Sequence, residues 1–436
     1  MAKNQIIAAI DIGTAKVCTL IAVVEEGGEL RIVGASSVRS QGIRKSQIVN
    51  LEEATAAITE SVDAAERMAG FSISEAYVSV SGRHIQSQNS KGVVAVADPQ
   101  GDIIQEDIER VIEAARAVSL PSNREILHVI PTSFQVDSQD GIKDPIGMSG
   151  VRLEAQTHII TGSTTVLKNI RKCVEQLGIQ VAGFVFSGVA ASEAIITETE
   201  KELGVVLIDI GAGSTSINAY VEGALMYSGV IPIGALHVTK DIALGSRISI
   251  PAAEMVKHAL SQVSLEIPGR LPDESREDAR LRHKKDDTLD LRELGIEEEV
   301  KQLSKKTLVE GIIVPRLREI LELAHEELKK QDLLGDVPAG IILTGGGGET
   351  VSLMDTARKV FNMPARVGKP AGLRGLIDEI ETPMYSTVTG LLIYGKKQGL
   401  SEASGGGGFS FGSLPKNVQP SALWENIKKL FQSILP

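Results

Sequence analysis

Two stretches decide the fold: AAIDIGTAKV at residues 8–17 and VVLIDIGAGSTSI at residues 205–217. Each reads as a short, β-branched, buried strand that ends in Asp-Ile-Gly and runs into small or hydroxyl residues. A bend of this kind exposes backbone N–H groups, and glycine lets a phosphate approach them closely. Asp11 and Asp209, at the strand ends, can hold waters around Mg²⁺, a hard cation that prefers oxygen ligands and keeps much of its hydration. Thr14 and Thr215 can donate hydroxyl hydrogen bonds to phosphate oxygens, and Lys16 can sit against the β- or γ-phosphate. Gly13, Ala15, Gly211, Gly213 and Ser214 complete the two bends. Two copies of one pattern, about 200 residues apart, imply two related halves.

A third apolar strand, AGIILT at 339–344, ends in the quartet Gly345, Gly346, Gly347 and Gly348. Four glycines remove every Cβ from one surface, which suits a flat adenine and its ribose; otherwise the run is a floppy loop. Each bend alone is also an ordinary strand-end turn, where Asp and Gly serve turn chemistry. Commoner nucleotide motifs are absent. There is no GxxxxGK[ST], and GAGSTS lacks the third glycine of the dinucleotide fingerprint and leads into a strand.

The rest of the chain is consistent with a large α/β protein. It has 436 residues, 42% hydrophobic and 23% charged, with aromatics at only 3%, so the core rests on Ile, Val, Leu and Ala. A net charge of −11 argues against general nucleic-acid binding, which depends on neutralising phosphates. Two cysteines, Cys18 and Cys173, give neither a disulfide framework nor a metal spacing. The N-terminus is not a signal peptide, because its apolar run is short and Asp11 interrupts it. No window is long and apolar enough to span a bilayer. Residues 82–161 have a different texture, strand–helix–strand–strand, compatible with a small α+β insertion. From Gln398 to Pro420 the composition is that of a flexible linker, QGLSEASGGGGFSFGSLPKNVQP.

The last 16 residues, SALWENIKKLFQSILP, form an amphipathic pattern. At helical spacing Leu423, Trp424, Ile427, Leu430, Phe431, Ile434 and Leu435 fall within about 140°, bordered by Lys428. Ser421 is an N-cap candidate. Half-burying those side chains yields roughly 5–10 kcal/mol before ordering costs, and Lys428 and Lys429 add about 1 kcal/mol each beside anionic lipid. That fits reversible binding to a membrane surface. The alternative is a helix that docks on its own core or in a partner's groove; the glycine-rich leash, with a reach of roughly 25 Å, favours the membrane.

The three bends, in this order over residues 5–400, resemble the actin, Hsp70 and sugar-kinase superfamily. Within it the chain is similar to the FtsA family of bacterial cell-division proteins. The likeness rests on the insertion at 82–161, on SGVAASEAIITETEKELG before the second bend and on the tail. The resemblance implies a two-lobed actin-like ATPase fold, α/β in class. Residues 1–81, 162–198 and 371–397 would form the first lobe, with 82–161 as the inserted subdomain. Residues 199–232 and 310–370 would form the second lobe's core and 233–309 its helical subdomain. A disordered linker would cover 398–420 and a membrane-targeting helix 421–436.

It further implies ATP and Mg²⁺ between the lobes and self-association into short filaments. The implied partners are the C-terminal tail of the tubulin-like FtsZ, anionic lipid and later division proteins, at the cytoplasmic face of the membrane and the septum. Gly234, and Glu254 with Lys257 in AAEMVKHAL, match positions that approach the nucleotide in relatives; the last two otherwise form an exposed i,i+3 ion pair. Lys301 and Lys305, at i,i+4, match the region that grips the FtsZ tail, or else belong to a solvated charged surface. The Gln or Glu that orients water in hydrolytic relatives is missing from FVFSGVAASEAI. Ser187 falls near its place and Glu193 lies about two turns on, so tight binding with slow hydrolysis is expected. Alternatives are an actin-like platform of type IV pilus assembly, a sugar or acetate kinase, and an Hsp70-like chaperone, which the absence of a peptide-binding domain disfavours.

Overall fold

A computed structural model describes residues 5–97, 101–262, 277, 282, 285–375 and 380–403. Two sheets carry the architecture. The first has the order Gln180–Phe186, Glu75–Val80, Ile6–Ile12, Lys16–Val24, Leu30–Arg39, Leu373–Gly375. The second has the order Ala224–Ile231, Thr215–Val221, Val205–Ile210, Ile341–Thr344, Ala365–Val367. In both, an antiparallel three-strand meander continues through its first strand, in sequence, into two parallel neighbours. The internal repeat read from the two Asp-Ile-Gly bends is thus a repeat of topology. Each bend joins the first two strands of its meander, so Asp11 and Asp209 stand at equivalent strand ends.

Parallel neighbours require crossovers, and helices supply them. Leu51–Ala69 is one. Asn50 caps it by accepting from the Glu52 and Glu53 amides, and Gly70 stops it in the left-handed conformation at φ 82°. Its inner face is small, with Ala54, Ala57 and Ala65 buried, because the sheet lies close. A Cβ on Gly34 would meet the Ala65 carbonyl at 2.4 Å. The strands Val205–Ile210 and Ile341–Thr344 are buried along their whole length, as parallel strands covered on both faces must be.

The insertion folds as its own unit. Its sheet has the order Gln86–Ala95, Arg152–Ser163, Arg124–Val136, Gln139–Ile142, with the helix Gln105–Arg116 packed on it. Val96, Ile103, Ile108, Val111, Phe134 and Leu153 are among the members of a separate apolar core.

Two expectations are corrected here. The closing helix is Ser386–Ala403, so it runs well into the stretch read as linker. Its extra turns are held down: Lys397 pairs with Glu193, and Gly399 lies against the Gln5 side chain. Lys301 and Lys305 do not share a helix face, because the strand Gln302–Ser304 separates them and the helix Lys305–Leu308 only begins at the second. That strand pairs with Thr288–Asp290, which overrides helical spacing. The Lys305 ammonium donates to the Asp286 carbonyl at 2.8 Å, while Lys301 is exposed. The amphipathic tail and most of the linker lie outside the described residues. Among the described residues no helix is long and apolar enough to cross a membrane.

Candidate functional site

The two bends face one another across the gap between the sheets. They share one hydrogen-bond pattern: the Gly13 amide donates to the Lys16 carbonyl and the Gly211 amide to the Ser214 carbonyl, both at 3.0 Å. Glycine fits best at each, since a Cβ would sit 2.9 Å and 3.0 Å from those same carbonyl oxygens and push them back slightly. Gly213 meets the opposite bend directly; a Cβ there would lie 2.6 Å from Thr14 Oγ1.

The carboxylates differ in their surroundings. Asp11 accepts from Ser79 Oγ at 2.6 Å. Burial raises its pKa, against the opposing pull of the Lys16 charge and that hydrogen bond. Asp209 is buried, and among the described residues its side chain accepts only a long bond, from Thr387 Oγ1 at 3.4 Å. Burial, and then the charge on neighbouring Asp11, push its pKa up to about 7. Two neighbouring carboxylates, one half-buried and one buried, want a cation, and that is the observation on which a bound Mg²⁺ fits the site. Among the described residues no three His, Cys, Asp or Glu side chains cluster to hold a metal. Asp11 and Asp209 would therefore hold it with water and phosphate oxygens, the habit of Mg²⁺. The ion would neutralise phosphate charge.

Lys16 reaches into the same space. Its ammonium donates to the Met384 carbonyl at 2.6 Å and lies 4.0 Å from the centre of the Tyr385 ring. The third bend closes the floor. The Gly347 amide donates to the Ile210 carbonyl at 2.8 Å, and Gly345 donates to the Pro383 carbonyl at 3.2 Å. Gly345 has φ +84°, and a Cβ on it would come within 2.1 Å of Asp209 Oδ1. The quartet is neither a floppy loop nor a uniformly bare wall. Gly345, Gly347 and Gly348 are buried against neighbouring backbone and side chains, and only Gly346 faces open space.

Beside the third bend stands the helix Ile250–Gln262, tied to it where Ser261 Oγ accepts from the Val351 amide at 3.2 Å. Glu254 and Lys257 do form an i,i+3 pair there, at 2.8 Å. Lys257 is buried, however, and also donates to Thr239 Oγ1 at 3.0 Å. Partial burial raises the Glu254 pKa, but His258, Lys257 and Thr239 together outweigh it and hold the group at about 2. Gly234 lets the helix Ala235–Ser246 begin on the second bend. Its first amides, Ala235 and Leu236, donate to the Gly211 and Ala212 carbonyls at 2.9 Å, and a Cβ on Gly234 would lie 2.3 Å from the Gly211 oxygen.

Some expected residues are placed elsewhere. Thr215 is fully buried and donates to the Ile233 carbonyl at 2.8 Å, so Ser214 presents the hydroxyl of the second bend instead. The strand pairing Ile210↔Thr215 turns that threonine inward. Glu193 sits toward the far end of the helix Ser187–Ile195 and is engaged by Lys397, apart from the aspartates. Ser187, at the near end, has its Oγ 3.1 Å from Ser216 Oγ. Sequence reading passed over Ser46, Ser79, Thr387, Met384 and Tyr385. Their types carry no signal; strand register and the third bend bring them in.

Comparison with solved structures defines the class. The chain resembles the PilM–PilN type IV pilus biogenesis complex (TM-score 0.57, 15% identity, 89% of this chain and 98% of that one). It also resembles MreB5 of Spiroplasma citri bound to AMPPNP (TM-score 0.53, 14% identity, 92% and 99%). Together with the two repeated sheets, these make it a protein of the actin-like ATPase fold. Sequence comparison goes further. A family profile described as "SHS2 domain inserted in FTSA" matches residues 82–161, and one described as "Cell division protein FtsA" matches 206–390. Similar relatives named cell division protein FtsA are found in Borreliella burgdorferi (39% identity; 91% of this chain, 92% of that one), Escherichia coli K12 (37%; 91% and 92%) and Pseudomonas aeruginosa (36%; 94% of each). The chain belongs to the FtsA family of cell-division proteins.

Proposed function

We propose that this chain is an ATP-binding division scaffold that self-associates and tethers the tubulin-like FtsZ ring to the cytoplasmic face of the membrane at the septum. The observation that carries the nucleotide part is the pairing of a half-buried Asp11 with a buried Asp209, ringed by three glycine bends. Polyphosphate and Mg²⁺ together answer what that cleft lacks, since one brings oxygen ligands and the other positive charge. The bends and Lys16 bind and orient the phosphates. Thr239, Glu254 and Lys257 support the helix beside the adenosine end. With Glu193 engaged by Lys397, no carboxylate beyond the two aspartates is assigned to activate water, and hydrolysis is expected to be slow.

The tethering part rests on family membership and on the amphipathic spacing of Leu423, Trp424, Ile427, Leu430, Phe431, Ile434 and Leu435, with Lys428 for anionic headgroups. The FtsZ tail and later division proteins are the expected partners. Lys301 remains an exposed candidate for that contact; Lys305 is better read as structural.

Three measurements test the reading. Calorimetry should detect Mg-ATP binding, weakened in Asp209→Ala; an unchanged affinity removes Asp209 from the site. The full chain should float with anionic liposomes while a chain ending at residue 420 stays behind; equal flotation removes the tail as anchor. An immobilised FtsZ tail peptide should retain the protein, and failure to do so favours a different assembly partner.

A further inference from the structure

The segment after the first meander folds back as a tight hairpin, Ile43–Arg44 against Gln47–Ile48, with Lys45 and Ser46 as its two-residue turn. Both turn residues are left-handed, at φ 47° and 60°. Asn-Gly is the usual occupant of such a turn, because a Cβ resists this conformation. A strained, non-glycine turn persists only where its surroundings impose it.

Here the surroundings are the two bends. The Ser46 amide donates to Thr14 Oγ1 at 2.9 Å, and Ser46 Oγ lies 3.0 Å from Ser214 Oγ. A Cβ on Gly213 would be 3.0 Å from Lys45 Cα, so the tip is seated on the second bend as well as the first. The Lys45 side chain is exposed and makes no ion pair or hydrogen bond among the described residues, in a chain with 56 acidic side chains.

We propose that the Lys45–Ser46 tip reads the terminal phosphate of the nucleotide and makes the site prefer a triphosphate to a diphosphate. This deepens, and rests on, the reading of the cleft as an ATP site. Ser46 marks the place where a hydroxyl from each bend comes within reach of one residue. A phosphate that accepts from both bends must lie beside it. Thr14, Ser46 and Ser214 satisfy one another in the structure, and each can instead turn a donor toward phosphate oxygen. Lys45, whose Cα lies against the second bend, carries an exposed side chain that can bring its charge to that phosphate. A diphosphate ends one group short and forgoes these contacts.

The test compares Mg-ADP with the Mg complex of the non-hydrolysable imido analogue of ATP, by calorimetry on the full chain at low salt. Lys45→Gly and Ser46→Gly each remove a side chain while easing the turn, since glycine enters this conformation freely. Each should weaken the analogue on the order of tenfold, the worth of one charge-assisted contact, and ADP by less than about twofold. Lys45→Arg should restore most of the loss. Equal losses for both nucleotides, or none for either, would overturn the proposal and leave the ATP reading intact. A wild-type chain that binds neither nucleotide overturns both. If Ser46→Gly melts early, the Lys45 pair still decides.

Discussion

The two Asp-Ile-Gly bends have the same backbone and opposite electrostatics. Both place a glycine amide 3.0 Å from the carbonyl three residues on, and both put an aspartate one residue before the strand end. The first bend carries its own cation, Lys16, and a short hydrogen bond from Ser79 to Asp11. The second carries no basic residue, and its aspartate is buried with one weak partner among the described residues. A repeated fold therefore does not give a repeated site. One copy supplies positive charge, while the other holds a carboxylate that pays for its burial with a raised pKa.

This contrast can be broken or sharpened by experiment, and the largest effect is expected on metal-nucleotide affinity. Asp209→Ala should weaken Mg-ATP on the order of a hundredfold and Asp11→Ala about tenfold, because the less satisfied carboxylate gains more from the cation. Calorimetry that reverses this ranking would sink the contrast. Next is Gly345→Ala, which pushes a methyl onto Asp209 and forces a left-handed alanine. It should cost about 2–3 kcal/mol in chemical denaturation and lower nucleotide affinity, without touching Asp11.

The pH dependence comes third. In the metal- and nucleotide-free protein the Asp209 carboxyl titrates at about 7, against an ordinary 3.8. A group raised in the folded state contributes its stability fully below the unfolded value and loses it as pH rises through the folded one. The melting temperature should therefore fall between about pH 4 and pH 7, and Asp209→Asn should flatten that fall more than Asp11→Asn. Equal flattening would mean the two carboxylates share the penalty. Smallest are Gly13→Ala and Gly211→Ala, at about 1 kcal/mol each. Matching costs would confirm that backbone geometry is the part the halves have in common.

What was legible in the sequence was local. The strand-then-Asp-Ile-Gly pattern is contiguous, so both bends, both aspartates and the repeat could be read directly. The insertion showed as a change of texture. Features that depend on pairing were hidden. Thr215 looks like Thr14 in sequence, yet register buries one and leaves the other in the cleft. Lys301 and Lys305 have helical spacing, but a short strand pairing separates them. Ser46 and Thr387 are distant from both bends along the chain and reach them only through the fold. The closing helix outran its expected end because QGLSEA looks like linker, although Lys397 finds Glu193 more than two hundred positions back.

That closing helix has a mechanical meaning. Its first turn touches the cleft, with Ser386 Oγ 2.7 Å from Thr344 Oγ1 and Thr387 reaching Asp209. Its middle is clamped so tightly that a Cβ on Gly390 would overlap the Ala190 carbonyl at 1.7 Å. Eighteen helical residues form a spar about 27 Å long. A tilt of this helix as a rigid rod at the aspartate end would also displace the end from which the chain continues toward its final residues. Pull on those last residues and occupancy of the cleft would then be opposite ends of one strut, each able to bias the other.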